Sequence, residues 1–417
     1  MRTARLSMMV VAAVVGGLEA GAGDWTEFRG AHSASVANDA TPPLEWDGAS
    51  GKNVAWKAAL PGRGRSGPIV VAGRVFVTAS SGEPENRLHV IAVAADSGKQ
   101  LWRRNFWATG RTLCHSSSAV AAPTPASDGK RIFALYASSD LACFDLDGNL
   151  LWLRGLGYDH PDAGNDVGMS SSPVVSRNLV IVQIENQGDS FVAAFDTTTG
   201  ETRWQIDRPK VRGAWCSPTI VAARGDHPEL LVLQDPQGCT AHDPATGEQL
   251  WAYDQPCGDI PSPVGQGEIV FVPSQGLTAL KRRPSTSAAE VLWRSSKLDL
   301  GNASPVVIGA RVYALNRAGA ISCGSISDGE VLWRLRLRGN FWTTPVVASG
   351  HLYCVNQDGL TNVVRLPPSG TDNSSSDPGE LVAENELGEP VFASPALADD
   401  AVYLRSDQHL WKMARPR

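Results

Sequence analysis

The residues of this chain best suited to redox or metal chemistry are seven cysteines and eight histidines, and their spacing decides what they can do. The cysteines are Cys114, Cys143, Cys216, Cys239, Cys257, Cys323 and Cys354. No two are adjacent, and the closest pair, Cys239 and Cys257, is 18 residues apart. There is no Cys-x-x-Cys, so a zinc ribbon, a thioredoxin site and haem attachment all lack their carrier. Seven is odd and the spacings form no disulfide framework. Cys143, Cys323 and Cys354 fall inside apolar strand patterns, where a thiol serves as a small hydrophobe. The histidines, His32, His89, His115, His160, His227, His242, His351 and His409, are scattered without ligand spacing. The densest mixed cluster, Asp159-His160-Pro161-Asp162, reads as a solvated loop. Pro61-Gly62-Arg63-Gly64-Arg65-Ser66-Gly67 is glycine-rich, but no Lys-Ser/Thr or helix follows to make it a phosphate loop. No Gly-x-Ser-x-Gly occurs. Lys+Arg 37 against Asp+Glu 43 gives a net charge of −6 without a basic stripe, which argues against nucleic acid as a partner.

The elements that must position any site come from a repeat. Four segments show it. Ser172-Pro173 leads to Asp196…Gly200…Trp204, Ser217-Pro218 to Asp243…Gly247…Trp251, Ser304-Pro305 to Asp328-Gly329…Trp333, and Gly67-Pro68 to Asp96…Gly98…Trp102. The closing tryptophans, Trp56, Trp102, Trp152, Trp204, Trp251, Trp293 and Trp333, recur every 40 to 52 residues. Such a period marks a solenoid, a propeller or a related array. The opening prolines are Pro68, Pro123, Pro173, Pro218, Pro263, Pro305, Pro345 and Pro395, which makes eight units. Each unit holds four short β-rich runs separated by Gly and Asp turns, the pattern of a four-stranded antiparallel propeller blade. A proline belongs at a strand start or on an edge strand, and the first strand of a blade lines the central channel. The expected fold is therefore all-β, an eight-bladed propeller. The last unit supplies three strands up to Met413, and Asn53-Val54-Ala55-Trp56-Lys57-Ala58 is a fourth strand without a preceding three. Pairing them closes the ring and removes its open edges. A seven-bladed ring with a separate N-terminal strand is the other possibility. The fifth unit (Lys281 to Ser287) and the seventh (Pro367 to Gly379) replace the Asp-Gly turn with long exposed turns.

Arg2 and Arg5 precede an apolar stretch from Leu6 to Leu18, and Ala20-Gly21-Ala22 offers small residues for cleavage after Ala22. Residues 1–22 are thus expected to be a signal peptide, residues 23–52 an extension lying on the propeller, and residues 53–417 the ring. The apolar run is shorter than the roughly 20 residues of a membrane span, and no later segment can span. A periplasmic or secreted monomer is expected.

The Ser-Pro-x-Val opening with the Asp-x-x-x-Gly-x-x-x-Trp closing resembles the repeat of the pyrroloquinoline-quinone-like β-propellers, over about Asn53 to Met413. That family includes quinoprotein alcohol dehydrogenases and an outer-membrane-assembly propeller lipoprotein. Trp25-Thr26-Glu27-Phe28-Arg29-Gly30 is similar to the leader of exported, planctomycete-type members. The resemblance implies that each closing tryptophan docks between adjacent blades. For the dehydrogenases it implies a bound quinone, a calcium ion, a carboxylate base and two adjacent cysteines beside the cofactor. This chain has no adjacent cysteines and no calcium-ligand set that can be matched residue by residue. No catalytic residue, cofactor or metal ligand is therefore assigned. The quinone and calcium belong only to the alternative, a quinone-dependent oxidoreductase. An assembly subunit is a third reading, against which stands the lack of a lipid-anchor Cys after the apolar run.

In a propeller the segments leading into the innermost strands converge on the axis. Those segments carry Arg65, His115, Met169, Trp215, Asp259, Asn302, Trp342 and Phe392. These residues either line one concave ligand site at the channel mouth or plug the funnel by packing on one another. The expected function is a non-catalytic binding or scaffolding module for an envelope protein, a polysaccharide or a small ligand.

Overall fold

The computed structural model describes residues 23–282, 288–368 and 377–416. The expected leader, and most of the two irregular turns of the fifth and seventh units, lie outside these residues. Eight sheets follow one another around the ring, seven of four antiparallel strands and one with a fifth strand, Val36–Ala37, added in parallel. The chain is an eight-bladed propeller, and among the described residues there is one short helix, Leu156–Asp159, and one 3-10 turn, Ala31–Ser33.

Each blade starts with a short inner strand, such as Val174–Ser176, and ends with an outer strand, such as Thr202–Asp207. The two middle strands read as continuous apolar runs because neighbouring blades cover both faces: every residue of Leu179–Ile184 and Phe191–Asp196 is buried. The eighth blade takes its outer strand from the front of the chain. Val54–Ala59 pairs antiparallel with His409–Met413, from Val54 opposite Met413 to Ala59 opposite His409.

The closing tryptophans hold blade to blade. Trp102 of blade one donates its indole N–H to Leu146 O of blade two at 2.9 Å, and Trp56, Trp152, Trp204 and Trp293 do the same with the next turn at 2.8–3.1 Å. The indole lies on the turn glycine of the next blade. Gly148 has φ 83°, and a Cβ there would meet the Trp102 ring at 2.6 Å. The Asp-Gly turn therefore supplies positive φ and a flat seat together. Trp251 and Trp333 face the blades whose sequences lack the Asp-Gly turn, and among the described residues their buried indole N–H groups have no acceptor.

A second device circles the axis. The residue before the opening proline is Thr124, Ser172, Ser217, Ser262, Ser304, Thr344 or Ser394, and Gly67 in blade one. Each hydroxyl oxygen accepts the backbone N–H of its counterpart in the preceding blade, at 2.8–3.1 Å. The ring of hydroxyls breaks only at Gly67, where a Cβ would come within 2.8 Å of Ser394 O. This register corrects one assignment: the second blade opens at Thr124-Pro125, not at Pro123, because Thr124 holds the shared hydroxyl place and Ala126–Ser127 is the inner strand.

The segment from Trp25 to Ala37 crosses the axis at the far ends of the inner strands. Trp25 bonds Val70 both ways, Thr26 O accepts from Ser127 N–H, and Val36–Ala37 pairs parallel with Val347–Ala348. Between them, Arg29 donates to Pro263 O at 2.7 Å and Thr219 Oγ1 at 2.9 Å. The Glu27 carboxylate accepts from Val175 N–H and Ser33 Oγ. One strand of chain thus touches blades one to five and seven.

Burial pushes the Glu27 carboxyl up from 4.5 to about 7, against the lowering effect of the Val175 N–H and Arg29. The folded state therefore binds its proton more tightly than the unfolded chain. That contribution to stability is complete below pH 4.5 and is lost as pH rises through about 7. Glu27→Gln cannot titrate. It is expected to melt above the native protein on the alkaline side of this window and together with it on the acid side. Melting curves across the window check this, and a constant difference at every pH would contradict it.

Candidate functional site

Two rings of side chains line the mouth of the channel, and strand alternation defines both. The residue just before each opening proline faces the axis and forms the hydroxyl collar. Two residues earlier the backbone has alternated twice, so that position faces the axis again. Here stand Arg65, Trp215, Asn302, Trp342 and Phe392, with Ala122, Ser170 and Ile260 in the remaining three places. Collar and rim enclose a cavity of about 100 Å³, which Phe28 of the crossing segment also lines.

The structure brings Arg65, Trp215, Asn302, Trp342 and Phe392 together on one cavity. It places His115, Met169 and Asp259 off the axis. Met169 and Asp259 sit one residue too early, so alternation turns them away and their neighbours Ser170 and Ile260 line the cavity instead. Met169 is buried among the strands of blades two and three. Asp259 is exposed, and only its carbonyl takes part, accepting Trp215 N–H at 2.7 Å. His115 lies in the longer loop ahead of Thr124-Pro125, exposed and bonded to Ser117 Oγ through Nδ1 at 2.8 Å. Phe28 and the collar were missed. The recurring small hydroxylated residue before proline was the signal for the collar, whereas nothing local to Phe28 places it on the axis.

The rim is held in place from behind. Trp215 Nε1 donates to Gly168 O at 2.9 Å. The Arg65 guanidinium lies 3.9 Å from the Phe392 ring centroid and 3.2 Å from Asp407 Oδ1. Burial weakens its hold on the proton, and Asp407 partly restores it. Phe392 meets Trp342 edge-on at 6.5 Å, and Arg317 stands 5.7 Å over Trp342. Behind Arg65, the fully buried Arg405 donates to Ser66 O at 3.0 Å and to Ser66 Oγ. Gly64 passes so close to Arg405 that a side chain there would collide with it.

Such a funnel, aromatic and cationic at the rim and hydroxylated below it, can hold a ligand by stacking and hydrogen bonding. Among the described residues, no three His, Cys, Asp or Glu side chains cluster as a metal-ligand set. No helix among them is long and apolar enough to cross a membrane.

Fold and repeat together define a propeller of the pyrroloquinoline-quinone-like class. A family model described as outer membrane protein assembly factor BamB matches residues 34–215, 86–259 and 236–367, and the chain belongs to that family. No curated protein matches it in sequence. Among solved structures, BamB from Moraxella catarrhalis is 17% identical with a TM-score of 0.59, covering 87% of this chain and 98% of that one. A europium-containing methanol dehydrogenase is 14% identical with a TM-score of 0.64, covering 93% and 90%. The quinohemoprotein alcohol dehydrogenase from Comamonas testosteroni is 13% identical with a TM-score of 0.67, covering 94% and 81%. At these identities the likeness is one of fold, shared by an assembly factor and by dehydrogenases alike.

Proposed function

We propose that this chain is an exported, non-catalytic propeller that binds or scaffolds an envelope protein or polysaccharide through the mouth of its channel. The observation that carries this reading is the contrast between the two axial rings. The collar repeats one chemistry in seven of eight blades, as a structural belt does. The rim, built from equivalent positions two residues away, differs in almost every blade and combines two tryptophans, a phenylalanine, an arginine and an amide. Aromatic and arginine side chains grouped around a concavity are the usual anchors of a binding surface. The structural neighbour named BamB supports the same direction.

The residues present do not fit a quinone with calcium. A cavity of about 100 Å³ is smaller than the roughly 150 Å³ that accepts a single benzene ring, whereas the cofactor is a fused tricycle. Among the described residues no metal-ligand cluster stands beside the cavity, and its one charged lining group is the cation Arg65. No catalytic step is derived through that group.

The test is a pull-down from the native envelope with the wild-type chain and with Trp342→Ala. A partner retained by the first and lost by the second supports the mouth as the binding surface. Equal retention by both overturns it, as does turnover of alcohols or sugars after quinone and calcium are added with a dye acceptor.

A further inference from the structure

We infer that the axial cavity below the rim is a site for a small oxyanion, a carboxylate or phosphate group, either free or presented by a larger ligand resting on the aromatic rim. The inference rests on the funnel being a binding surface and names the chemistry that enters it.

Three observations meet here. The first is a surplus of donors. A hydroxyl has one hydrogen to donate and two lone pairs to accept with. Each collar oxygen spends a lone pair on the backbone N–H of the preceding blade. Among the described residues, none of the seven gives its own hydrogen to a protein acceptor, and all seven line the cavity. The backbone bonds fix the oxygens in place, and their hydrogens are free to turn toward the space they enclose.

The second is charge. Arg65 is the only ionisable side chain on the lining, and no carboxylate faces the cavity. Its counter-ion Asp407 touches it from outside the lining at 3.2 Å. Arg405 adds a second, fully buried guanidinium directly behind, bonded only to the neutral Ser66. A site with fixed donors, a cation and no acidic wall favours negative charge, and a charged hydrogen bond there is stronger than a neutral one.

The third is size. About 100 Å³ holds a few waters or one small anion but no sugar ring. A larger ligand can therefore place only its charged group below the rim, with its body on Trp215, Trp342 and Phe392. The stacking surface and the donor surface then serve two parts of one molecule.

The experiment is isothermal titration of the full chain at low ionic strength with sodium phosphate and sodium acetate, with glycerol as the neutral arm. Galacturonate and glucose 1-phosphate present the same groups on a larger body. Binding of at least one anion, weakened by added salt and absent for glycerol, is expected. Arg65→Gln removes the cation without touching the collar and is expected to weaken binding by about tenfold or more. Asp407→Asn frees Arg65 from its counter-ion and is expected to tighten it. Tighter binding of the two larger probes assigns the anion to a presented group, whereas equal or weaker binding assigns it to a free ion. Melting temperatures of both variants are measured alongside, and Asp407→Asn, which lies off the lining, carries the test if Arg65→Gln does not fold. No heat with any of the four anions overturns the inference. So does anion binding that Arg65→Gln and Asp407→Asn both leave unchanged. If no anion binds while Trp342→Ala still abolishes the pull-down, the oxyanion assignment falls and the binding surface stands. The converse result removes the binding surface alone.

Discussion

A chain lacking residues 1–60 is expected to aggregate or to unfold without cooperativity. The deletion removes Val54–Ala59, the outer strand of the eighth blade, and leaves His409–Met413 as a bare edge. That edge is apolar, because Leu410, Trp411 and Met413 are buried in the closed ring. An exposed apolar edge recruits other chains. The deletion also removes Trp56, whose indole joins blade eight to blade one through Ala95 O. A chain lacking only residues 1–52 separates the two contributions. It loses the crossing segment but keeps the closing strand, so it is expected to melt lower yet as one transition. Calorimetry and light scattering on both truncations check this. Equal melting of the 1–60 truncation and the full chain would refute closure by this strand.

Trp102→Ala is expected to cost about 3–5 kcal/mol, the range for large aromatic truncations in cores. Trp102 is 8% exposed and packs against Phe76 of its own blade and Phe144 of the next, with centroids 5.8 and 6.2 Å away. Its removal leaves a void between two blades and strips Leu146 O of its donor. Trp333→Ala is the informative comparison. It loses similar packing but, among the described residues, no indole hydrogen bond, so it is expected to cost less by about 1 kcal/mol. Denaturant midpoints measure both. Equal costs would mean that the indole bond contributes nothing to the joint.

The blades were legible because one interaction is repeated. A tryptophan that must sit on a glycine in the next unit forces both residues to recur at a fixed spacing, and the eye finds that spacing without coordinates. The hydroxyl before proline recurs for the same reason, and blade two was misread only because Pro123 and Pro125 flank Thr124. Arg65, Trp215, Asn302, Trp342 and Phe392 could be placed at the mouth because each stands three residues before its proline. Met169 and Asp259 stand four before theirs, and a shift of one residue on an extended backbone reverses the direction of the side chain. Phe28 and Arg29 could not be placed at all. The hydrogen bonds of Arg29 to Thr219 and Pro263 span 190 and 234 residues, and no local pattern encodes so distant a meeting.

Among the described residues, two of the seven closing tryptophans, Trp251 and Trp333, have an indole N–H without an acceptor, and they divide the ring unequally. Trp251 lies at the joint between blades four and five, and Trp333 at the joint between six and seven. Blades five and six are thus bounded on both sides by joints without the indole bond that closes the five joints of Trp56, Trp102, Trp152, Trp204 and Trp293, and the joint between blades seven and eight has no closing tryptophan at all. A closed ring resists opening at one joint alone, since the rest must bend to let it part. The arc from blade eight to blade four is stitched at every joint, so the pair of blades five and six is expected to loosen before it. The inner-strand amides of Val306–Ile308 are therefore expected to exchange with solvent before those of Val174–Ser176, which sit in the stitched arc, and hydrogen exchange measures the order.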